Sequence, residues 1–503
     1  MAVIPSDGLD ASSGEALTLL VGTLTLFIWG YFLNASCAGV RAAGWDVAAR
    51  SLTMMVAIIF VFAAVDPLVQ WLTPSENDFI GDIIIVVIMS ALMLVIVLLT
   101  SCVTGPDLRG FERRLIAGRT FGLLTGHMAG LSFAHFFAGW QIDSYEVDRA
   151  LLAYFIVPIA LFVLVALLFI SHVVREYIIH FDGRKSDREN LWAEIAAESE
   201  LDAAAVCLSF ITMIILRFWV SGIMPDRSGF EGIDTAQHPL WQSAALFGLG
   251  LTFLIFAILL TFICAEDAYE EEEPLGCEWW LKRPKLVVEK YFFFTTGWLW
   301  LISLHWFISS YLLPSEASPI EEFLAVAVCS TVLVLLSLVI MELIGEFFRR
   351  AGHRSGSEAV DDVMGAMGLV VGFSWERVYE QSLATVAADH ANGNSFAQVL
   401  IKTVYGVIFT LCIVPALYLF VTPKALEENQ FAMEEKYGPF PKVDPGEDDE
   451  EYDFPHEFAH AVAEHYHLPV DHEHKKGSAA ELHLIEQEEE EETSESIRFW
   501  GLC

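Results

Sequence analysis

Eleven mostly apolar runs punctuate the chain, at residues 16–32, 51–69, 80–102, 120–140, 151–173, 203–220, 241–264, 291–313, 323–344, 363–386 and 396–421. Each is close to the ~20 residues an α-helix needs to cross ~30 Å of hydrocarbon. Lipid offers no partner for backbone N–H and C=O groups, so a spanning segment must be a helix or a strand of a closed barrel. The runs are continuously apolar, without period-2 alternation, which predicts helices. The expected fold class is therefore all-α: a polytopic helical membrane protein with about eleven transmembrane helices. The runs 203–220 and 363–386 are the least regular, because Arg217 and the Glu376-Arg377 pair interrupt them.

The apolar pattern repeats. Residues 115–264 and 286–421 read as two copies of one four-helix unit, with Gly126, Ser132, Phe136 and Trp140 opposite Gly297, Ser303, Phe307 and Tyr311. Farther along, Glu176 falls opposite Glu346, Asp202 opposite Asp361, and Gln242 with Gly250 opposite Gln398 with Gly406. Four crossings per copy return the chain to its starting side, so the duplication would be parallel, with its axis along the membrane normal. A partial third copy is visible in 50–99 against 119–169. The resulting division is an N-terminal three-helix segment (1–110), a first repeat (111–264), a linker (265–290), a second repeat (291–423) and a tail (424–503).

Lys and Arg orient this array. They cluster in alternate connections, at Arg41 and Arg50; Arg109, Arg113, Arg114 and Arg119; Arg175, Arg184, Lys185 and Arg188; Lys282, Arg283, Lys285 and Lys290; and Arg349, Arg350 and Arg354. The positive-inside rule then places the amino terminus outside or in a lumen and the carboxyl terminus in the cytoplasm. Two of these connections are long. Residues 188–200 read as a short interfacial amphipathic helix bearing Leu191, Trp192 and Ile195, and 265–290 as a solvated linker with Trp279-Trp280 as an interfacial anchor.

Composition agrees with this class, with 55% hydrophobic residues in 503 and a mean hydropathy of +0.50. The net charge of −38 is concentrated, since about a third of the acidic residues follow Lys424. Such a tail has too little apolar content to offset chain entropy, so it is expected to be an acidic disordered segment. Nucleic acid is not an expected partner of so acidic a chain. The eight scattered cysteines predict free thiols.

Candidate chemistry is sparse. Gly118, Gly122, Gly126 and Gly130 form a smooth stripe, suited to close helix packing or to a sliding surface, and expected to face the aromatic ridge of 292–300. His127, His135 and His305 lie within the apolar runs. A neutral imidazole both donates and accepts, so these are candidate relay or sensor groups, or else simply core histidines bonded to nearby oxygens. Arg217 and Glu376 hold equivalent places in the two copies with opposite charge, and would either pair across the seam or reach water separately.

In the tail, His456-Glu457-Phe458-Ala459-His460 is a literal HExxH, with His465 beyond it. The motif needs a folded domain to supply a third ligand and exclude water. Weak divalent-metal binding through His456, His460 and His465, or a merely biased tract, fits the acidic surroundings better than a peptidase. No cofactor and no enzymatic activity are expected. The leading functional expectation is a transporter or channel for a small solute or ion, with proton linkage as one form. The alternative is a membrane scaffold or sensor whose tail recruits a cytosolic protein.

Overall fold

A computed structural model describes residues 11–65, 78–102, 108–146, 150–179, 187–225, 229, 238–265, 277–314, 318–350, 354–391 and 394–428. Among these residues the chain is helical, with no strand. The helices are α1 (Ala11–Leu33), α2 (Ala38–Ile58), α3 (Asp78–Cys102), α4 (Leu108–Glu146), α5 (Ala150–Ile179), α6 (Asp187–Ser221), α7 (Leu240–Ala265), α8 (Cys277–Phe307), α9 (Pro319–Arg350), α10 (Arg354–Ala391) and α11 (Ser395–Ala416). Seven of them contain segments long and apolar enough to cross a membrane, in α2, α5, α6, α7, α8, α9 and α11. The apolar stretches of α1 and α3 are shorter.

Local sequence sets the ends of several helices. Before α9, Ser318-Pro319-Ile320-Glu321 forms a capping box: the Glu321 carboxylate accepts from Ser318 N at 2.7 Å, and Ser318 Oγ accepts from Glu321 N at 3.4 Å. Pro319 takes the first helical position, where its missing N–H leaves nothing unsatisfied. Asn394 caps α11 by accepting from Phe396 N and Ala397 N. Gly222 closes α6 with a φ of 75°, a left-handed value that a side chain disfavours. Wide π turns follow α2 (Ile59–Val65), α8 (Ile308–Leu312) and α11 (Leu417–Val421).

Helices of even number form the inside. α2 packs on α4, α4 on α6, α6 on α8, α8 on α10 and α10 on α2, which closes a ring of five; none of the five packs substantially on a non-neighbour. The odd helices lie outside: α3 and α5 on α4, α7 on α8, α9 on α10, and α11 against α10 and the turn after α2. Burial follows that division. The spans of α2, α6 and α8 are 67–72% buried, whereas those of α5, α7 and α11 are 11–28% buried. Exposed Phe155, Phe162, Ile255, Phe256, Leu343, Phe347 and Leu411 make an apolar outer surface that lipid, rather than water, would cover.

Glycine lets the inner helices approach. A Cβ on Gly126 would lie 2.7 Å from the Ser199 carbonyl oxygen, and one on Gly130 2.7 Å from that of Ala203. Gly118 and Gly122 meet Ile195 and Ser199 of the same helix. The stripe therefore faces α6, and the expectation that it faces the aromatic ridge of α8 is corrected: small residues on α6 admit the closest approach. A second stripe, Gly365, Gly368 and Gly372 of α10, seats α2, and Ser51 Oγ donates to the Gly368 carbonyl at 2.9 Å.

Helix ends depart from the apolar runs. Arg50 and Lys290 lie within α2 and α8, and 188–200 is the first part of α6 instead of a separate interfacial helix, with Trp192 buried. Residues 277–290 of the expected linker are helical, and helix continues through 422–428. The physical reason is polar contact with other helices: Lys290 pairs with Asp202 and Glu428 with Arg41, so the helices run past the apolar stretch that lipid alone would require. At 39 residues α4 is ~58 Å long, well beyond the hydrocarbon thickness.

Replacing Gly126 or Gly130 with Ala should destabilise the protein by about 1–3 kcal/mol, because the opposing atoms are backbone oxygens. Gly248, with nothing within 4 Å of its Cβ position, is the control. The check is a thermal melt in detergent, in which Gly248→Ala should melt like wild type and Gly126→Ala well below it.

Candidate functional site

Four of the five inner helices bring ionisable side chains together. Lys290 of α8 donates to Asp202 of α6 at 2.6 Å. Arg50 of α2 donates to Asp46 one turn earlier at 2.8 Å. His127 of α4 lies within electrostatic range of Asp202, Arg50 and Lys290, and Arg50 within range of Asp202 and the exposed Glu198. The fifth helix, α10, contributes space: a Cβ on Gly365 would come 2.8 Å from an Arg50 guanidinium nitrogen. Thus glycine on α10 leaves room for the arginine.

The cluster is graded in exposure. The Asp202 side chain is 5% exposed, while Arg50 and Lys290 reach open space at 34% and 22%. His127 is buried, and its Nδ1 has no hydrogen-bond partner among the described residues. An uncompensated charge at this depth would cost several kcal/mol. Pairing of Asp202 with Lys290 removes most of that cost and joins α6 to α8.

Toward the C-terminal ends of these helices, aromatic rings fill the interior. Trp298 of α8 meets Phe210 of α6 edge-on at 5.3 Å and Phe373 of α10 at 4.6 Å between centroids. All three are buried, and Trp298 Nε1 donates to Ser209 Oγ at 3.1 Å. Edge-to-face packing with a satisfied indole makes a closely packed aromatic layer. The charged cluster thus lies on the side of this layer nearer the N-terminal ends of the inner helices.

Of the residues singled out from sequence, only His127 joins the cluster. His135 Nε2 lies 3.7 Å from Asp82 Oδ1 of α3, and His305 Nε2 lies 3.0 Å from Glu322 Oε1 of α9 while its ring stacks on Phe323. These contacts join inner helices to outer ones. Arg217 donates to the Gly229 carbonyl and lies over Trp306, whose other neighbour is the stacked His238 ring at 3.9 Å. The charged groups around Glu376 are Arg377 and Glu380. Arg217 and Glu376 are therefore engaged locally, and the structure does not bring them together across the seam.

Asp46, Arg50 and Lys290 were not expected at a site. One signal could have exposed the cluster: Asp202 and Arg217, Lys290 and His305, and Asp361 and Glu376 are each fifteen residues apart on successive inner helices. His456, His460 and His465 lie outside the described residues. Among the described residues, no three His, Cys, Asp or Glu side chains gather as metal ligands. Comparison with protein-family models, curated proteins and solved structures gives no match.

Changing Lys290 to Met should leave the Asp202 carboxylate buried without its charge partner and cost about 2–3 kcal/mol, less than for a fully buried pair because Lys290 is partly exposed. The double variant Asp202→Asn/Lys290→Met should recover much of that loss. A double-mutant cycle on detergent melts checks this, with strictly additive losses as the contrary result.

Proposed function

We propose that this protein is a multi-pass membrane transporter or channel that moves a small solute or ion through the inner ring, with Arg50, His127, Asp202 and Lys290 on the path. The observation that carries the reading is the charged cluster at the meeting of the inner helices. Ionisable side chains inside an apolar bundle are costly, and where they face its interior they mark solute or proton routes more often than mere packing. His127 is the cluster's one imidazole, a group whose ring nitrogens can both donate and accept a proton. The aromatic layer of Phe210, Trp298 and Phe373 would act as the closed gate. His135 and His305 would couple α3 and α9 to the ring, with Arg217 and Glu376 in supporting contacts at its far end.

The parallel duplication of 115–264 and 286–421, eleven crossings, and a cytoplasmic carboxyl terminus belong to the same reading. It rests on architecture and site chemistry, not on a relative. The close packing of the aromatic layer favours a second reading, a non-transporting scaffold or sensor that recruits a cytosolic protein through its acidic tail.

Purified protein in vesicles should take up at least one of radiolabelled glycine, acetate, methylammonium or rubidium well above protein-free vesicles, and Asp202→Asn should reduce that uptake at least tenfold. Uptake should survive truncation after Glu428. If none of the four solutes enters, transport of this solute class is contradicted and the scaffold reading takes its place.

A further inference from the structure

The C-terminal end of α11 crosses from one inner helix to another. Beyond the π turn at Leu417–Val421 the chain makes one more short helix, 422–428. Thr120 of α4 donates to Thr422 Oγ1 at 2.9 Å, and the Phe121 and Tyr418 rings meet at 5.9 Å between centroids. At the other end, the Glu428 carboxylate accepts from Arg41 of α2, and its second oxygen lies 2.9 Å from Lys424 Nζ. Arg41 also donates to the Ala35 carbonyl at 3.0 Å. Thr120, Thr422, Ala425 and Glu428 are all buried. The segment therefore bridges α4 and α2.

Two features make this bridge releasable. Pro415 and Pro423 each lack the N–H that a helix uses, and the wide turn lies between them, so 422–428 is joined to α11 through an interrupted ladder. Seven residues are also too few for a helix to hold itself in water, where about 12–15 are needed. Its order thus depends on the contacts with α2 and α4. The seam that it spans is a light one, since α2 packs less extensively on α4 than α4 does on α6 or α2 on α10. Arg50 and His127 lie on the same two helices, ~14 Å beyond Arg41 and ~11 Å beyond Thr120 along the axes. The acidic tail continues directly from Glu428, so a pull on the tail reaches the Arg41 ion pair first.

We propose that residues 422–428 are a releasable strap that holds α2 to α4 beside the charged cluster and restrains passage through the ring. This rests on the reading of the ring as the solute path. Fastened, the strap keeps the α2–α4 seam shut; freed, it unravels and lets α2 part from α4. Order and disorder of one short segment are then coupled to the packing of two inner helices.

Hydrogen exchange on the full chain in detergent reads the strap directly, because amides of an unravelled segment exchange freely. Those of 422–428 should be protected in the wild-type protein. Arg41→Gln and Glu428→Gln should each speed their exchange at least fivefold, with α10 amides unchanged as the sign of an intact fold. The double variant should exchange about as fast as Glu428→Gln alone, since the two side chains serve one contact. Thr422→Val, which keeps the shape and loses the hydroxyl, should loosen the other end. In vesicles, whichever of glycine, acetate, methylammonium and rubidium enters should enter at least threefold faster in both single variants and after truncation following Val421. Truncation after Glu428 leaves the strap and should keep the wild-type rate.

Exchange at 422–428 that ignores both neutralised side chains would overturn the strap. Faster exchange without faster uptake would leave only a structural brace and overturn the restraint. Entry of no solute into any vesicle, released variants included, would contradict the transport reading and the restraint with it, while the exchange rates would still report whether the strap lets go.

Discussion

Asp202 and Lys290 meet 2.6 Å apart inside a bundle whose outer surface is apolar. Neither charge tolerates that setting alone, and the rest of the inner architecture follows from giving each a partner. The pair fixes the register of α6 on α8, and the same register brings Ser209 to the Trp298 indole and Thr212 to the Tyr291 hydroxyl. α4 then approaches α6 through a glycine stripe, which carries His127 into range of the same charges. α2 is brought in by the glycines of α10, and Arg50 comes with it. Four ionisable groups from four helices are thus held close by backbone contacts that have almost no slack.

Division of labour between inner and outer helices is the second consequence. Outer helices need only an apolar surface and one contact face, so their sequences are almost uniformly aliphatic and aromatic. Inner helices face neighbours on several sides and carry glycine, serine, threonine and charge at those contacts, met by groups such as Ser330, Thr331 and Gly250 on the outer helices. Polar links join the layers: Arg175 with Glu200 at 2.5 Å joins α5 to α6, Thr261 donates to Glu289 between α7 and α8, His305 faces Glu322 between α8 and α9, and Ser330 meets Ser374 between α9 and α10. Such links in a low-dielectric setting hold the outer helices in register where hydrophobic attraction between helices is weak.

Much of this was legible in the sequence because lipid imposes a strong rule on composition. The helices and their order followed from the apolar runs, and the stripe of Gly118, Gly122, Gly126 and Gly130 was recognisable as a packing surface. Its partner was not, since a smooth ridge fits any close helix and sequence spacing does not choose among them. A charge beside an apolar run marks its end when lipid is the only neighbour, so the pattern places Arg50 and Lys290 in connections. Here other helices are the neighbours, and the helix continues. Arg217 and Glu376 stood out as interruptions, yet each is accommodated locally, by the Gly229 carbonyl and Trp306 for the arginine and within α10 for the glutamate. Isolated charges in apolar runs were thus poorer guides to the site than charges at the run ends.

Closure of the inner ring through α2 and α10 is the feature on which the shared cluster depends, and a disulfide tests it directly. A Cβ on Gly368 would lie 3.0 Å from that of Arg50, inside the roughly 3.5–4.5 Å found in disulfides, so the bond forms once the two helices ease apart by about half an ångström. In a chain cleared of its other cysteines and given a protease site within residues 266–276, the pair Arg50→Cys/Gly368→Cys should oxidise readily in membranes. The two fragments should then migrate together after cleavage and separate only on reduction. Fragments that separate without reductant, from protein whose unpaired single-cysteine variants fold normally, would show that α2 and α10 do not meet, and the common charged site would be lost with the ring.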